Sequence, residues 1–129
     1  MKNKHIAIEL SIDDIKKEKE FRYLQEIDPH WFDDCSSEFY RITYAYGDLK
    51  LMLETSSIFI SGKFSFTARH TCSRCGDEFE ENITEDIYEL CKPNSSGMID
   101  VFPVLRELVV INEPIKILCH SCRAKDKKE

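Results

Sequence analysis

Four of the six cysteines form two pairs with a two-residue spacer, and their type and spacing suggest chemistry more directly than any other residues do. The pairs are Cys72-Ser-Arg-Cys75 and Cys119-His-Ser-Cys122. A two-residue spacer lets the backbone turn so that both thiolates point at one metal ion about 2.3 Å away, and two such pairs complete a tetrahedron. Thiolate ligands favour zinc. The spacing therefore predicts one structural Zn2+ ion bound by all four cysteines, with no coordination position left open.

The two pairs lie far apart in the chain, with residues 76 to 118 between them. Compact zinc ribbons separate their pairs by about 15–20 residues, so a self-contained finger is not expected. The site would instead be a clasp that holds the carboxyl-terminal tail on the tip of a hairpin. Gly76 follows the first pair and suits the tight turn of a zinc knuckle, whereas Arg123 follows the second pair.

Two other interpretations of the paired cysteines stay open: a thiol–disulfide redox site, and free cysteines that bind no metal. A redox C-x-x-C normally begins a helix after a strand, where the dipole lowers the thiol pKa, and the sequence predicts neither pair in that setting. His70 and His120 adjoin the pairs and could replace a ligand, although four cysteines suffice. Cys35 and Cys91 stand outside the pairs and are predicted to be small buried residues.

The 129-residue chain has a formal charge of −6, but its charges are unevenly distributed. Residues 76 to 113 hold 10 acidic and 2 basic side chains. Basic residues gather in sequence around the cysteine pairs. They are either ordinary solvated side chains or candidate RNA-binding residues: Lys63, Arg69, Arg74, Lys116, Arg123 and Lys125. The candidate protein-binding residues are acids from the segment between the pairs: Glu80, Glu81, Glu85 and Glu107.

Alternation of apolar and polar residues predicts strands through much of the chain. These strands are expected near residues 6–10, 40–46, 49–53, 58–61, 64–68 and 79–90. Gly47-Asp48 is predicted to be a turn, and the acidic strand 79–90 is predicted to pair back with residues 63–70.

Helices are expected near both ends of the chain. Ser11 can cap a short helix over 11–20, and Asp100 can cap a longer one that ends before Glu113-Pro114. Trp31 and Phe32 are predicted core residues. The fold class is therefore α+β, with a mainly antiparallel sheet of five or six strands, a short amino-terminal helix and one carboxyl-terminal helix.

Several classes of function are disfavoured by what the sequence lacks. No apolar run approaches the roughly 18 residues of a membrane span, and no export signal is recognisable, so a cytoplasmic protein without membrane partners is expected. There is no phosphate-binding glycine loop and no nucleophile motif. We expect a non-enzymatic protein without a small-molecule substrate, with one domain over residues 1–122 and a charged tail over 123–129.

The order of these motifs resembles that of the YceD family, bacterial and plastid proteins described as large-subunit ribosomal RNA accumulation proteins. The resemblance covers roughly residues 38 to 122, without the Gly-Leu-Cys segment of members with longer cysteine-rich tails. It implies a non-catalytic role in producing or stabilising this RNA, with Glu107 matching a helix acid of the family. It rests on five segments: Cys72-Ser-Arg-Cys75-Gly-Asp-Glu-Phe79, Met98-Ile-Asp100-Val101, Val104-Leu-Arg-Glu107-Leu-Val-Val, Glu113-Pro114 and the pair Cys119-His-Ser-Cys122.

Three functions are consistent with these features. The first is a zinc-stabilised ribosome-assembly factor that contacts ribosomal RNA or its precursor through the basic end. The second is an adaptor that binds a basic ribosomal protein or a nuclease through the acidic strand 77 to 89. The third, a thiol–disulfide redox protein, is permitted by the C-x-x-C pairs alone.

Overall fold

A computed structural model describes residues 7–18, 20–114 and 117–127 of the chain. The strands are β1 (Glu9–Ser11), β2 (Phe21–Glu26), β3 (Tyr40–Glu54), β4 (Ser57–Thr71), β5 (Glu78–Cys91) and β6 (Met98–Asp100). The helices are α1 (Ile12–Lys17), α2 (Phe102–Ile111) and α3 (His120–Lys127), and a 3₁₀ helix covers Pro29–Cys35. Within these described ranges, no helix is long and apolar enough to cross a membrane.

The larger sheet is an antiparallel meander. Its strand order is β2-β3-β4-β5, so each strand pairs with the next one along the chain. β1 and β6 form a separate antiparallel pair in which Glu9 lies opposite Asp100. The predicted α+β fold with a mainly antiparallel sheet and short helices is confirmed. The predicted pairing of the acidic strand is also confirmed, because β5 pairs with β4 from Glu78 opposite Thr71 to Cys91 opposite Ile58.

β3 and β4 form one long hairpin, and the predicted turn at Gly47-Asp48 is wrong. β3 continues through both residues, and the chain reverses at Thr55, whose φ is 57°. On the facing strand Gly62 has a φ of 135°, and a Cβ at this position would collide with the carbonyl oxygen of Asp48. Gly62 therefore marks a close approach of two backbones inside the hairpin, and Gly47 lies within β3 rather than at its end. For the same reason the separate strands expected before and after Gly62 are one strand.

The segment before β3 contains structure that the sequence did not indicate. β2 pairs with β3, and Asp28 caps the following 3₁₀ helix by accepting a hydrogen bond from the His30 amide at 3.0 Å. Phe32 in this helix is fully buried, and Trp31 packs edge-on against Phe102 of α2 at 6.1 Å between ring centroids. Both were predicted to be core residues, and this prediction is confirmed.

The main core lies on one face of the sheet. Alternate residues of β4 turn inward, and α2 and the 3₁₀ helix cover them. The Tyr40 hydroxyl, also buried here, donates to the carbonyl oxygen of Val109 in α2 at 2.7 Å. The fully buried large side chains of this core include Phe32, Tyr40, Leu49, Leu51, Ile58, Ile60, Phe64, Phe66 and Leu105.

The predicted helix ends agree with the structure except in the tail. Ser11 accepts from the Asp13 amide at 3.2 Å, and Asp100 accepts from the Phe102 amide at 3.0 Å. α2 ends at Ile111, before the expected Glu113-Pro114 stop. The described part of the predicted charged tail over 123–129 is helical, because α3 continues to Lys127.

Candidate metal centre

The two cysteine pairs meet in space although they are far apart in the chain. The first pair lies in the connection from β4 to β5, at the tip of that hairpin, and the second begins α3. The four sulfur atoms lie within 4.8 Å of one another, and the Cys75 and Cys119 sulfurs are 3.6 Å apart. Four thiols at this separation could hold a metal ion. The fold therefore assembles the ligand set that the sequence predicts.

The first pair sits in a tight turn that depends on glycine. The Gly76 amide donates to the Cys72 carbonyl oxygen at 2.9 Å, and the Cys72 amide donates to the Asp77 carbonyl oxygen at 2.8 Å. Gly76 adopts a φ of 81°, which side-chain-bearing residues rarely adopt. This left-handed residue turns the chain back toward β5 directly after Cys75.

The second pair begins a helix, which the sequence analysis did not expect. The Arg123 amide donates to the Cys119 carbonyl oxygen at 2.9 Å, forming the first turn of α3. Cys119 thus precedes the helix and Cys122 lies in its first turn. The expectation that neither pair lies at a helix start is wrong for this pair, although the residues just before it do not form a strand.

Hydrogen bonds between the two segments supplement the cysteine cluster. The amide and hydroxyl of Ser73 donate to the Ile117 carbonyl oxygen at 2.8 Å and 2.9 Å. The Ser73 contacts fix the hairpin tip against the carboxyl-terminal segment. Within that segment the Arg123 guanidinium donates to the Leu118 carbonyl oxygen at 3.0 Å. Ser73 was not among the sequence candidates, and nothing in its type distinguishes it from other serines of the chain.

The cysteine cluster has a small apolar environment of its own. Cys72 and Cys122 are buried, Cys119 is 9% exposed, and Cys75 is exposed. Leu118 belongs to the same cluster, and Phe79 packs against both this cluster and the main core. A partly dehydrated site of this kind strengthens the attraction between thiolates and a cation.

The electrostatics of the four thiols are unequal. Hydrogen bonds from backbone amides, chiefly that of Cys119, lower the pKa of Cys72 to about 6, against the opposing effect of burial. At Cys75 the Asp77 amide lowers the pKa, but hydrogen bonds with the other three thiols and burial outweigh it and raise the pKa to about 12. Burial is the main cause of the raised pKa of Cys122. Protons on these thiols must leave when a metal binds, so metal affinity will depend on pH.

The remaining cysteines and the described histidines do not join the ligand set. Cys35 and Cys91 are half-buried, and burial raises the pKa of both thiols. His70 is buried, stacks on Phe79 and lies 3.1 Å from Glu81 through Nε2. Among the described residues, the set that could hold a metal consists of the four paired cysteines.

The basic candidate residues do not all surround the cysteines. Lys63 pairs with Asp86 at 3.2 Å and lies six residues before Arg69 on β4, which places it about 20 Å away along the strand. Arg69 lies 4.0 Å from Glu78, close to the hairpin tip where the pairing of β4 with β5 ends. Arg74, within the first pair, and Arg123, after the second, are both exposed at the cysteine end. Lys116 and the side chain of Lys125 lie outside the described part of the chain.

The acidic candidates lie along β5 and α2. Glu80 and Glu81 line a cavity of about 190 Å³ with Phe79, His120 and Arg123, next to the cysteine cluster. Glu85 accepts a hydrogen bond from the Asn112 side chain at 2.7 Å. Glu107 lines a second cavity, between β5 and α2. Three of the four acids thus line two different cavities, and Glu85 lines neither of them.

No protein-family model, curated protein or solved structure matches this chain in the comparisons with known proteins.

Proposed function

We propose that the four cysteines bind one structural zinc ion. The main support for this proposal is that all four sulfur atoms lie close together, with those of Cys75 and Cys119 3.6 Å apart. In a tetrahedral site with zinc–sulfur bonds of about 2.3 Å, neighbouring sulfurs are about 3.8 Å apart. Four thiolates suit zinc by ligand type and leave no open position for a substrate. The ion would hold the end of the chain on the β4–β5 hairpin.

The proposed role of the zinc-stabilised protein is non-catalytic support of large-subunit ribosomal RNA accumulation or ribosome assembly. Its support is the resemblance to the YceD family together with the placement of Arg69, Arg74 and Arg123 at the cysteine end. Guanidinium groups bind phosphate oxygens in a bidentate geometry. In this proposal the metal clasp presents these side chains to ribosomal RNA or its precursor, in the cytoplasm.

The test measures binding of the zinc-loaded protein to ribosomal RNA and to an unrelated RNA at about 50 to 300 mM salt, the range over which phosphate contacts weaken. We expect tighter binding to ribosomal RNA and a salt slope that falls by up to about 2 in an Arg69→Ala, Arg74→Ala variant. A Lys16→Ala, Lys17→Ala variant on α1 makes the same charge change away from the cysteines and serves as the control. Equal affinity for both RNAs would rule out the RNA-binding function.

A second candidate function is an adaptor for a basic ribosomal protein or a nuclease. The observation that favours it is the facing position of Glu107 on α2 and the acidic residues of β5 across one groove. Two of the basic candidates, Lys63 and Arg69, also have acidic neighbours at 3.2 Å and 4.0 Å, which reduces the positive charge they offer to RNA. Binding to a basic ribosomal protein, measured in the same salt series, tests this function directly.

A further inference from the structure

A groove runs between the outer edge of β5 and one face of α2; we call it the β5–α2 groove. Its cavity has a volume of about 270 Å³. The buried Ile87 and the side chains of Val104 and Leu108 supply its apolar surface, and three carboxylates stand around them. The lining residues are Asp86, Ile87, Tyr88, Glu89, Val104, Glu107 and Leu108.

One wall of the β5–α2 groove is an open sheet edge. β5 is the last strand of the sheet and pairs with β4 on one side. On its other side it pairs with no strand in the described part of the chain. An edge of this kind presents a row of backbone N–H and C=O groups that can pair with an added strand.

An exposed apolar side chain of α2 extends the β5–α2 groove. Ile111 is 65% exposed on α2, whereas the exposed Tyr88 and Leu90 alternate with Ile87 along β5 and point to the other face of the sheet. Ile111 follows Val104 and Leu108 at helical spacing, so it continues the same face of α2. Large apolar side chains gathered beside a groove are typical of an interaction surface.

The charge of the β5–α2 groove selects the kind of occupant. Its lining carries Asp86, Glu89 and Glu107 and includes no basic residue. Asp86 is partly offset by Lys63 at 3.2 Å, whereas Glu89 and Glu107 form no ion pair with any described residue. A second copy of β5 would bring further acids to the same edge and would be repelled. A cationic strand is attracted instead.

We propose that the β5–α2 groove binds an extended, lysine- or arginine-rich peptide segment by strand addition to β5. Backbone hydrogen bonds to the β5 edge hold the peptide, an apolar side chain enters between Ile87 and Leu108, and its basic side chains meet Glu89 and Glu107. This inference rests on the adaptor function proposed above and specifies its partner and binding mode. The peptide is a segment of a basic protein rather than a nucleic acid, because only a polypeptide can pair with the open edge.

The test uses a synthetic peptide about ten residues long, which spans most of β5, with valine and lysine in turn at every second residue so that both types lie on the strand face that meets the groove. Two modified versions carry N-methyl groups on alternate residues, one version for each edge of the peptide strand. Each is titrated into the zinc-loaded full chain by calorimetry. Strand addition predicts that one N-methylated peptide binds about tenfold or more weakly while the other keeps the affinity of the unmodified peptide. Equal affinity of all three peptides would overturn strand addition.

A pair of charge variants tests the position of the peptide. Glu89→Gln with Glu107→Gln is expected to weaken binding by about tenfold, because two carboxylates that face the peptide are neutralised. Glu9→Gln with Glu54→Gln makes the same charge change at exposed positions outside the groove and should leave the affinity within about twofold. A groove variant that binds as tightly as this control would overturn the inference.

The outcomes separate this binding mode from the adaptor function itself. If a basic ribosomal protein binds but the N-methylated peptides show no difference, strand addition is wrong and the adaptor function stands. If neither the basic protein nor the peptide binds, the adaptor function fails and the inference fails with it. Displacement of the peptide by a single-stranded RNA of similar length would also overturn the assignment of the groove to polypeptides.

Discussion

The Tyr40 hydroxyl joins the sheet to α2 inside the main core. It donates to the Val109 carbonyl oxygen at 2.7 Å from a fully buried side chain. Tyr40→Phe removes the donor and leaves the acceptor buried, so we expect the free energy of unfolding to fall by about 1–3 kcal/mol. Urea denaturation of the two proteins measures this difference. Tyr44→Phe, at an exposed hydroxyl, should change stability by less than about 0.5 kcal/mol.

The same residue gives stability a dependence on alkaline pH. Burial raises the pKa of Tyr40 well above its ordinary value of 10.0. The unfolded chain therefore releases this proton first, so the contribution of Tyr40 is complete below pH 10 and declines as pH rises toward the folded pKa. The stability difference between the wild type and Tyr40→Phe should narrow above pH 10. If urea titrations above pH 10 show a constant stability difference between the two proteins, ionisation of Tyr40 does not cause the pH dependence.

Gly76 is the residue whose backbone shape the first cysteine pair requires. Its φ is 81° and no atom lies near the position of a Cβ, so alanine there is strained by conformation alone. That strain costs about 1–2 kcal/mol, and we expect Gly76→Ala to bind zinc about tenfold more weakly in chelator competition. Gly97 has a similar φ of 75° and lies away from the cysteines. Gly97→Ala should therefore lower stability without changing zinc affinity. Equal affinities in both variants would show that the turn does not shape the site.

At the scale of elements, α3 depends on the clasp more than on its own sequence. It has 8 residues and is polar on most positions, and isolated helices of this length are marginal in water. Removing zinc with a chelator should therefore increase hydrogen exchange of α3 amides by about tenfold or more. The amides of β3 and β4 in the main core should change little. Unchanged exchange in α3 would mean that the Ser73 and Arg123 hydrogen bonds suffice to hold it.

The sequence predicted those elements whose pattern is local and missed those that depend on distant partners. The four cysteine ligands were identifiable because each pair carries its own spacing signal. The pairing of β5 with β4 followed from alternation and a short connection. Gly47 was misread because it lies inside β3, where the side chains of Tyr23 and Ile27, from the segment that includes β2, pack against it. α3 was missed because its residues lack an apolar stripe, and the β5–α2 groove was missed because its two walls are distant in sequence.

At the scale of the whole molecule, the cysteine cluster is distinct from the main core and touches it through Phe79. Leu118 and three of the paired cysteines form one buried cluster, while Phe32, Tyr40 and the inward residues of β4 belong to another. The main core should consequently survive loss of the metal. Trp31 packs against Phe102 of this core, so the Trp31 fluorescence of the metal-free protein should remain that of the folded protein. A metal-free protein with the fluorescence and circular dichroism of an unfolded chain would contradict this independence.

Zinc should nevertheless raise the stability of the whole chain by mass action. A ligand that binds the folded state alone adds about 1.4 kcal/mol for each tenfold excess of its free concentration over the dissociation constant. Thermal unfolding at a series of buffered zinc concentrations should therefore show a melting temperature that rises steadily once the site fills. Cys119→Ser with Cys122→Ser should abolish the rise, because it removes two ligands. Cys35→Ser with Cys91→Ser leaves the cluster intact and should preserve the rise. A zinc-dependent melting temperature that persists in the first variant would place the ion at another site and remove the clasp from the description of this fold.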